Sequence, residues 1–359
     1  MATRKQFCAI LVLLCASTGA NAFLLYLGIA GIGLGFLAHH LNNNYNISFP
    51  LPEGIKTTLD LYGAPENDFN CKPFFPPSSS KTTPHNRNPV IMLHGLFQNR
   101  NNDLHLLQRA LNARGYCTYS LTYGSYTSWF PFLNQFGGMK NMTHTAGDIA
   151  NFIREVVRRT GAEKVDVVGH SEGAVQALYV PLATQQQEGD ISSHIDKIIA
   201  LSPALHGARY WGFADLWYVG GEASRAFIGW LVDNVFMCPA CEQMVKDGDI
   251  YTFFKENVFD PTTSSRGNKA EGERRGKIAR AGNKITIIMS RTDTLVPAAV
   301  SEVRDDDNDV RLVYVQDTCP DDRVGHFGLS WDTSVWRLVA NALEETDEEV
   351  WPCGRGVRF

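Results

Sequence analysis

From Pro89 onward, short apolar runs alternate with segments whose apolar residues recur at helical spacing. Val90-Ile91-Met92-Leu93 is continuously apolar and bounded by Pro89 and His94-Gly95, as expected of a strand buried on both faces. Asp103 to Ala113 places Leu104, Leu107, Ala110 and Leu111 on one helical face, and Gly115 ends it. Cys117 to Tyr123 predicts a strand, and Thr145 to Arg158 a helix with Ile149, Phe152, Ile153 and Val156 on one side. Val165–Val168, Ile195–Leu201, Ile285–Met289 and Arg311–Val315 complete the strands, and Thr333–Leu343 predicts the last helix. This alternation predicts an α/β fold class, with a mostly parallel sheet flanked by helices on both faces.

Two stretches break the pattern. Residues 39–88 are polar and dotted with prolines, an extended lead-in with little regular structure. The second is an aromatic-rich insertion at about 206–283, carrying Tyr210, Trp211, Trp217, Tyr218, Phe227, Trp230 and Phe236 among others. It reads as a satellite core, as a lid or acyl-chain wall over a site, or as both.

The first residues have the grammar of a secretory signal peptide. Met1 to Gln6 is basic, Phe7 to Ala16 apolar, and Ala20-Asn21-Ala22 a small-x-small cleavage site. Residues 1–22 are therefore expected to be a signal peptide, 23–62 an apolar segment and lead-in, and 63–359 the α/β domain. The stretch from Phe23 to Ala38 is also apolar, so an uncleaved chain would be anchored in a membrane by residues 7–38, facing the extracellular side. Secretion is the expected outcome, with membrane contact through 23–38 as its complement.

Cysteine usage fits export. Of the eight cysteines, Cys8 and Cys15 fall in the signal, which leaves the even set Cys71, Cys117, Cys238, Cys241, Cys319 and Cys353. Cys238-Pro239-Ala240-Cys241 can also be read as a redox or zinc half-site, but no second C-x-x-C or H-x-x-x-H accompanies it. Asn46-Ile47-Ser48 and Asn141-Met142-Thr143 are glycosylation sequons. A net charge of −5 gives no basis for a nucleic-acid partner. Asp305-Asp306-Asp307-Asn308-Asp309 lacks the ligand spacing of a calcium loop.

The chemistry is concentrated after the strand Val165–Val168, which runs straight into Gly169-His170-Ser171-Glu172-Gly173. A strand leading into G-x-S-x-G and then a helix is the sequence form of a nucleophile elbow, with Ser171 as the nucleophile. A serine hydroxyl needs a base, and the base an orienting carboxylate, which on an elbow of this kind follow the serine with the carboxylate first and the histidine second. Asp293, just after the strand Ile285–Met289, is the expected acid, with Asp317, Asp321 and Asp322 as rivals that fit the order less well. Of the ten histidines only His326 follows Asp293, and it is the expected base. His94-Gly95-Leu96 supplies an oxyanion loop, so the backbone N–H groups of Leu96 and Glu172 are the expected oxyanion donors. His94 is expected to prop that loop and His170 to be scaffold; the role of His206 is open.

The segments Pro89 to Gly95, Gly115-Tyr116-Cys117, Thr160 to Gly173, Ser202-Pro203 to His206-Gly207 and Gly325-His326 together resemble secreted microbial triacylglycerol lipases of the class 2 type, over about residues 65–345. The resemblance implies an α/β-hydrolase fold, a triad of Ser171, Asp293 and His326, no cofactor, and disulfides Cys71–Cys117, Cys238–Cys241 and Cys319–Cys353. It departs at Glu172, where relatives often carry glutamine, and at residues 23–38. The expected function is a carboxylic ester hydrolase acting on acylglycerols through an acyl-enzyme. The alternatives are an acyltransferase on the same triad, a short-chain esterase, and a non-catalytic binding protein of the same fold.

Overall fold

The structure is a computed structural model that describes residues 63–73, 87–126, 135–184, 190–208, 210, 221–259, 278, 282–303 and 310–356. The expected signal peptide and lead-in through residue 62, Asn46, the aspartate run at 305–309 and the aromatic stretch 211–220 lie outside these residues. Chain contacts define two units, 62–127 with 136–359, and 1–61 with 128–135. The first is the unit described below.

Six strands form one sheet: β1 (Val90–Leu93), β2 (Thr118–Ser120), β3 (Val165–His170), β4 (Ile195–Leu201), β5 (Lys284–Met289) and β6 (Val310–Tyr314). They run in the order β2-β1-β3-β4-β5-β6, and every neighbouring pair is parallel. Alternate residues feed opposite layers. Ile91, Leu93, Val165 and Val167 join one core, while Val90, Met92 and Val168 join the other. Two-sided burial explains why β1 is wholly apolar, and why β3 and β4 carry apolar residues at successive positions (Val167-Val168, Ile198 to Leu201) rather than alternating. On the first face lie α2 (Met142–Thr160) and α3 (Glu172–Thr184), through residues such as Ile149, Ile153, Ala174 and Leu178. On the second lie α1 (His105–Ala113) and α5 (Thr333–Glu344), through Leu107, Leu111, Val335 and Val339.

Local chemistry moved several boundaries. α2 begins three residues before the expected Thr145, because the Asn141 side chain accepts the amide of Thr143 and caps the helix there. β2 covers only Thr118–Ser120 of the expected Cys117–Tyr123. The edge strand ends where the Asn67 side chain, not another strand, takes up the amide and carbonyl of Ser120. The three disulfides that the resemblance implied are present: Cys71–Cys117, Cys238–Cys241 and Cys319–Cys353.

Within the insertion, Ala240, Met244, Ile250, Phe254 and Val258 are buried in the first core, so this part is a satellite core. The helix α4 (Gly221–Asn234) and the residues after it are different. Phe227, Trp230, Val235 and Phe236 are each more than half exposed. Among the described residues no helix is long and apolar enough to cross a membrane.

Candidate active site

After β2 the chain returns to the other side of β1, so the strand order reverses between β1 and β3. The loops leaving the carboxyl ends of these two strands therefore diverge and open a crevice, the usual ligand position in such sheets. Those loops are His94-Gly95-Leu96 and the elbow at Ser171.

Ser171 sits at φ 55°, a left-handed conformation that a non-glycine residue adopts only when its surroundings impose it. Its amide donates to the Leu201 carbonyl at 2.9 Å, continuing the β3–β4 ladder, while its own carbonyl accepts from Ala174 and Val175 at the start of α3. The turn is thus held from the sheet and from the helix. A Cβ on Gly169 would fall on the Gly173 carbonyl, and one on Gly173 on the carbonyls of Leu93 and His94. This close approach is why both positions are glycine. Gly95 is close as well, though less tightly placed: a Cβ there would be 3.2 Å from Ser171 Cβ.

His326 Nε2 is 2.8 Å from Ser171 Oγ, and His326 Nδ1 is 2.7 Å from Asp293 Oδ2. The second Asp293 oxygen accepts the amides of Leu295 and Val296 at 3.0 and 2.8 Å, which fixes the carboxylate. Burial lowers the pKa of His326 below its ordinary value, against the opposing pull of Asp293, so the ring is a free base at neutral pH. The rival carboxylates go elsewhere. Asp317 pairs with Arg291 at 2.7 Å on the surface, Asp321 is exposed, and Asp322 accepts the Ser334 hydroxyl and two backbone amides.

Glu172 opens α3, where helix geometry provides no intrahelical acceptor for its N–H. Leu96 lies across the crevice in the loop that contains Gly95. Their amides are the two that the sequence assigns to an oxyanion. His94 props that loop: Nδ1 donates to the Gly95 carbonyl at 2.9 Å, Nε2 accepts the Tyr123 amide at 3.2 Å, and the ring stacks on Tyr123 at 4.3 Å. Burial drives its pKa down to about 4, so it stays neutral. His206 lies apart from this cluster. It is exposed, stacked on Phe259, and bonded to the Glu302 carbonyl.

Two groups beside the serine were not singled out by the sequence. The Tyr123 hydroxyl lies between Glu172 Oε2 and the His94 carbonyl, 2.6 Å from the second, and its one proton is shared between these two contacts. Asp103 meets His170 and Gly95. Both residues come to the site from distant segments, and nothing local distinguishes Asp103 from any acid at a helix start. A shallow cleft of about 160 Å³, lined by Glu66, Asp68, Lys72, Asn112 and Tyr116, lies at the opposite, amino-terminal edge of the sheet and holds none of these groups.

A family model described as the alpha/beta hydrolase fold matches residues 88–232. Similar solved structures include Aspergillus fumigatus lipase B, with 15% identity, a TM-score of 0.49, and coverage of 82% of this chain and 59% of that one. Paleococcus ferrophilus monoacylglycerol lipase is 16% identical, with a TM-score of 0.35, covering 63% and 83%. Est1E from Butyrivibrio proteoclasticus, solved with ferulic acid bound, is 16% identical, with a TM-score of 0.41, covering 72% and 87%. The chain spans less than two thirds of the length of the Aspergillus lipase. No curated protein matches it. The chain has the α/β-hydrolase fold.

Proposed function

We propose that the protein is a secreted serine carboxylester hydrolase acting on acylglycerols. The observation that carries this reading is the unbroken hydrogen-bond path Ser171–His326–Asp293, at 2.8 and 2.7 Å, set on a strained turn at the end of β3. Ser171 Oγ attacks the acyl carbon while His326 Nε2 takes its proton, and Asp293 stabilises the imidazolium. The carbonyl oxygen becomes an oxyanion and binds the amides of Leu96 and Glu172. His326 returns the proton to the leaving alcohol oxygen, and the acyl group stays on Ser171. Water then attacks with His326 again as base, which frees the fatty acid and the serine. No step needs a cofactor.

Two features support an acyl chain and an oxidising destination. The exposed apolar residues on and after α4 offer a surface suited to lipid, as a lid or acyl-side wall. Three disulfides suit a secreted chain.

The test is hydrolysis of p-nitrophenyl esters from acetate to palmitate by the purified protein, with Ser171→Ala as control. Turnover that rises toward palmitate and vanishes in the variant is expected. Activity confined to short chains would make the protein an esterase. Ester formation with an added alcohol in place of hydrolysis would make it an acyltransferase.

Glu172 sets an alkaline limit on this chemistry. Burial pushes its carboxyl up to about 8, against the hydrogen bond with Tyr123, which favours ionisation. Below that pH the side chain is neutral; above it a negative charge appears on the residue whose amide faces the oxyanion. kcat/KM is therefore expected to fall as pH rises through about 8, and Glu172→Gln to remove that fall. The sign for stability is the same. The folded protein holds this proton more tightly than the unfolded chain, so stability declines from the ordinary carboxyl range up to about pH 8. Urea midpoints at pH 9 should accordingly be higher for Glu172→Gln than for the wild type.

A further inference from the structure

Beside the triad lies a second histidine–carboxylate pair that the proton path does not use. Asp103 and His170 are each 2% exposed. His170 Nδ1 is 2.9 Å from Asp103 Oδ1, and His170 Nε2 is 3.0 Å from the main-chain oxygen of His326. Asp103 Oδ2 accepts the Gly95 amide at 2.6 Å, a short bond of the kind an ionised carboxylate makes. The main-chain oxygen of Asp103 in turn accepts the Trp331 indole N–H at 3.0 Å, just beyond the His326 loop. A carboxylate and a carbonyl can only accept. With Asp103 ionised, both nitrogens of His170 must donate, and the ring is an imidazolium.

The pair touches each part of the site. His170 is the residue before the nucleophile, Gly95 is the residue before the Leu96 oxyanion donor, and His326 is the base. We infer that Asp103 and His170 are positioning residues, a buried carboxylate–imidazolium clamp that locks the elbow, the oxyanion loop and the base loop in mutual register. The inference rests on the triad chemistry proposed above.

Electrostatics give the clamp a second effect. Burial opposes the charge on His170, but Asp103 prevails and holds the ring above its ordinary pKa, with smaller help from the His326 carbonyl and Asp293. Burial likewise opposes the charge on Asp103, and His170, the Gly95 amide and His94 outweigh it. The groups facing His326 are Asp293 and Asp103, which favour its protonation, and His170, which disfavours it from a ring 5.1 Å away. His170 outweighs Asp103 at that position. The clamp therefore helps to keep the base free of a proton.

Asp103→Asn separates charge from shape. The amide oxygen can still accept from Gly95 while its NH₂ donates to a neutral His170, whose Nε2–H still reaches the His326 carbonyl. The acid limb of kcat/KM is expected to move to higher pH, with kcat close to that of the wild type at pH 9 and KM unchanged throughout. His170→Asn, whose amide reaches the Nδ1 position but not that of Nε2, removes the bond to the base loop, and kcat is expected to fall about 10²-fold at unchanged KM, the scale of a small misplacement of reacting groups. A structural role alone would lower activity evenly and leave the acid limb in place. A direct readout needs no turnover. In ¹⁵N-histidine-labelled full-length Ser171→Ala protein, both His170 nitrogens should carry protons at pH 8, and one should lose its proton in the added Asp103→Asn background. A neutral His170 in the parent protein, or an unmoved acid limb in Asp103→Asn, overturns the clamp. Absence of Ser171-dependent turnover in the wild type overturns the proposed function instead, and the nitrogen shifts still report on the pair.

Discussion

Ester turnover is expected to fall about 10⁶-fold when Ser171 is replaced by alanine and about 10⁴-fold when Asp293 becomes asparagine, in both cases with the fold intact. Alanine keeps the Cβ and the left-handed backbone of Ser171 and removes only the hydroxyl. The Asp293 case follows from its hydrogen bonds. Oδ1 accepts two backbone amides, from Leu295 and Val296, so in the variant the amide oxygen must stay there. The NH₂ then faces His326 Nδ1, which becomes an acceptor and sends the ring proton to Nε2. That nitrogen points at Ser171 Oγ and can no longer take its proton. Initial rates on a p-nitrophenyl ester, with far-ultraviolet circular dichroism as the folding control, measure both effects. A loss below tenfold for Asp293→Asn would show that the carboxylate does not set the tautomer.

Gly173→Ala is expected to cost about 3 kcal/mol or more in folding stability, the upper range for overpacking, because nothing nearby can give way. The added methyl would land on the carbonyls of Leu93 and His94, which are main-chain atoms at the end of β1 and the start of the oxyanion loop. Gly147→Ala is the matched contrast. Gly147 is exposed within α2 and its Cβ would meet nothing within 4 Å, so alanine there should stabilise by about 0.5–1 kcal/mol. Urea unfolding of the two variants should move the midpoint in opposite directions. Equal shifts would mean that the elbow relaxes more freely than its contacts indicate.

The fold was legible because two-sided burial leaves a plain mark. Val90–Leu93 and Ile195–Leu201 are strands with the bounds expected of them. The elbow was legible because a tight turn beside a strand restricts two glycine positions at once. Chain order was enough to select Asp293 and His326, which the structure brings within hydrogen-bond reach of each other and of Ser171. Other features depend on contacts between distant segments and leave no local trace. Asp103 meets a histidine 67 positions away, and Tyr123 meets a glutamate 49 positions away. The end of β2 is set by Asn67, 53 positions upstream. The insertion divided in a way composition cannot show: Phe254 is buried while Phe236 is exposed, though both belong to the same aromatic-rich stretch.

The central claim is that Ser171 is a nucleophile activated by His326. Its most direct test is covalent capture with a fluorophosphonate, which phosphonylates an activated serine hydroxyl and expels fluoride. Intact mass after short exposure should show one adduct per chain, peptide mapping should place it on Ser171, and His326→Ala should slow its formation to the rate of an ordinary serine. An unlabelled protein that still hydrolyses esters, or a stoichiometric label on another residue, would contradict the account.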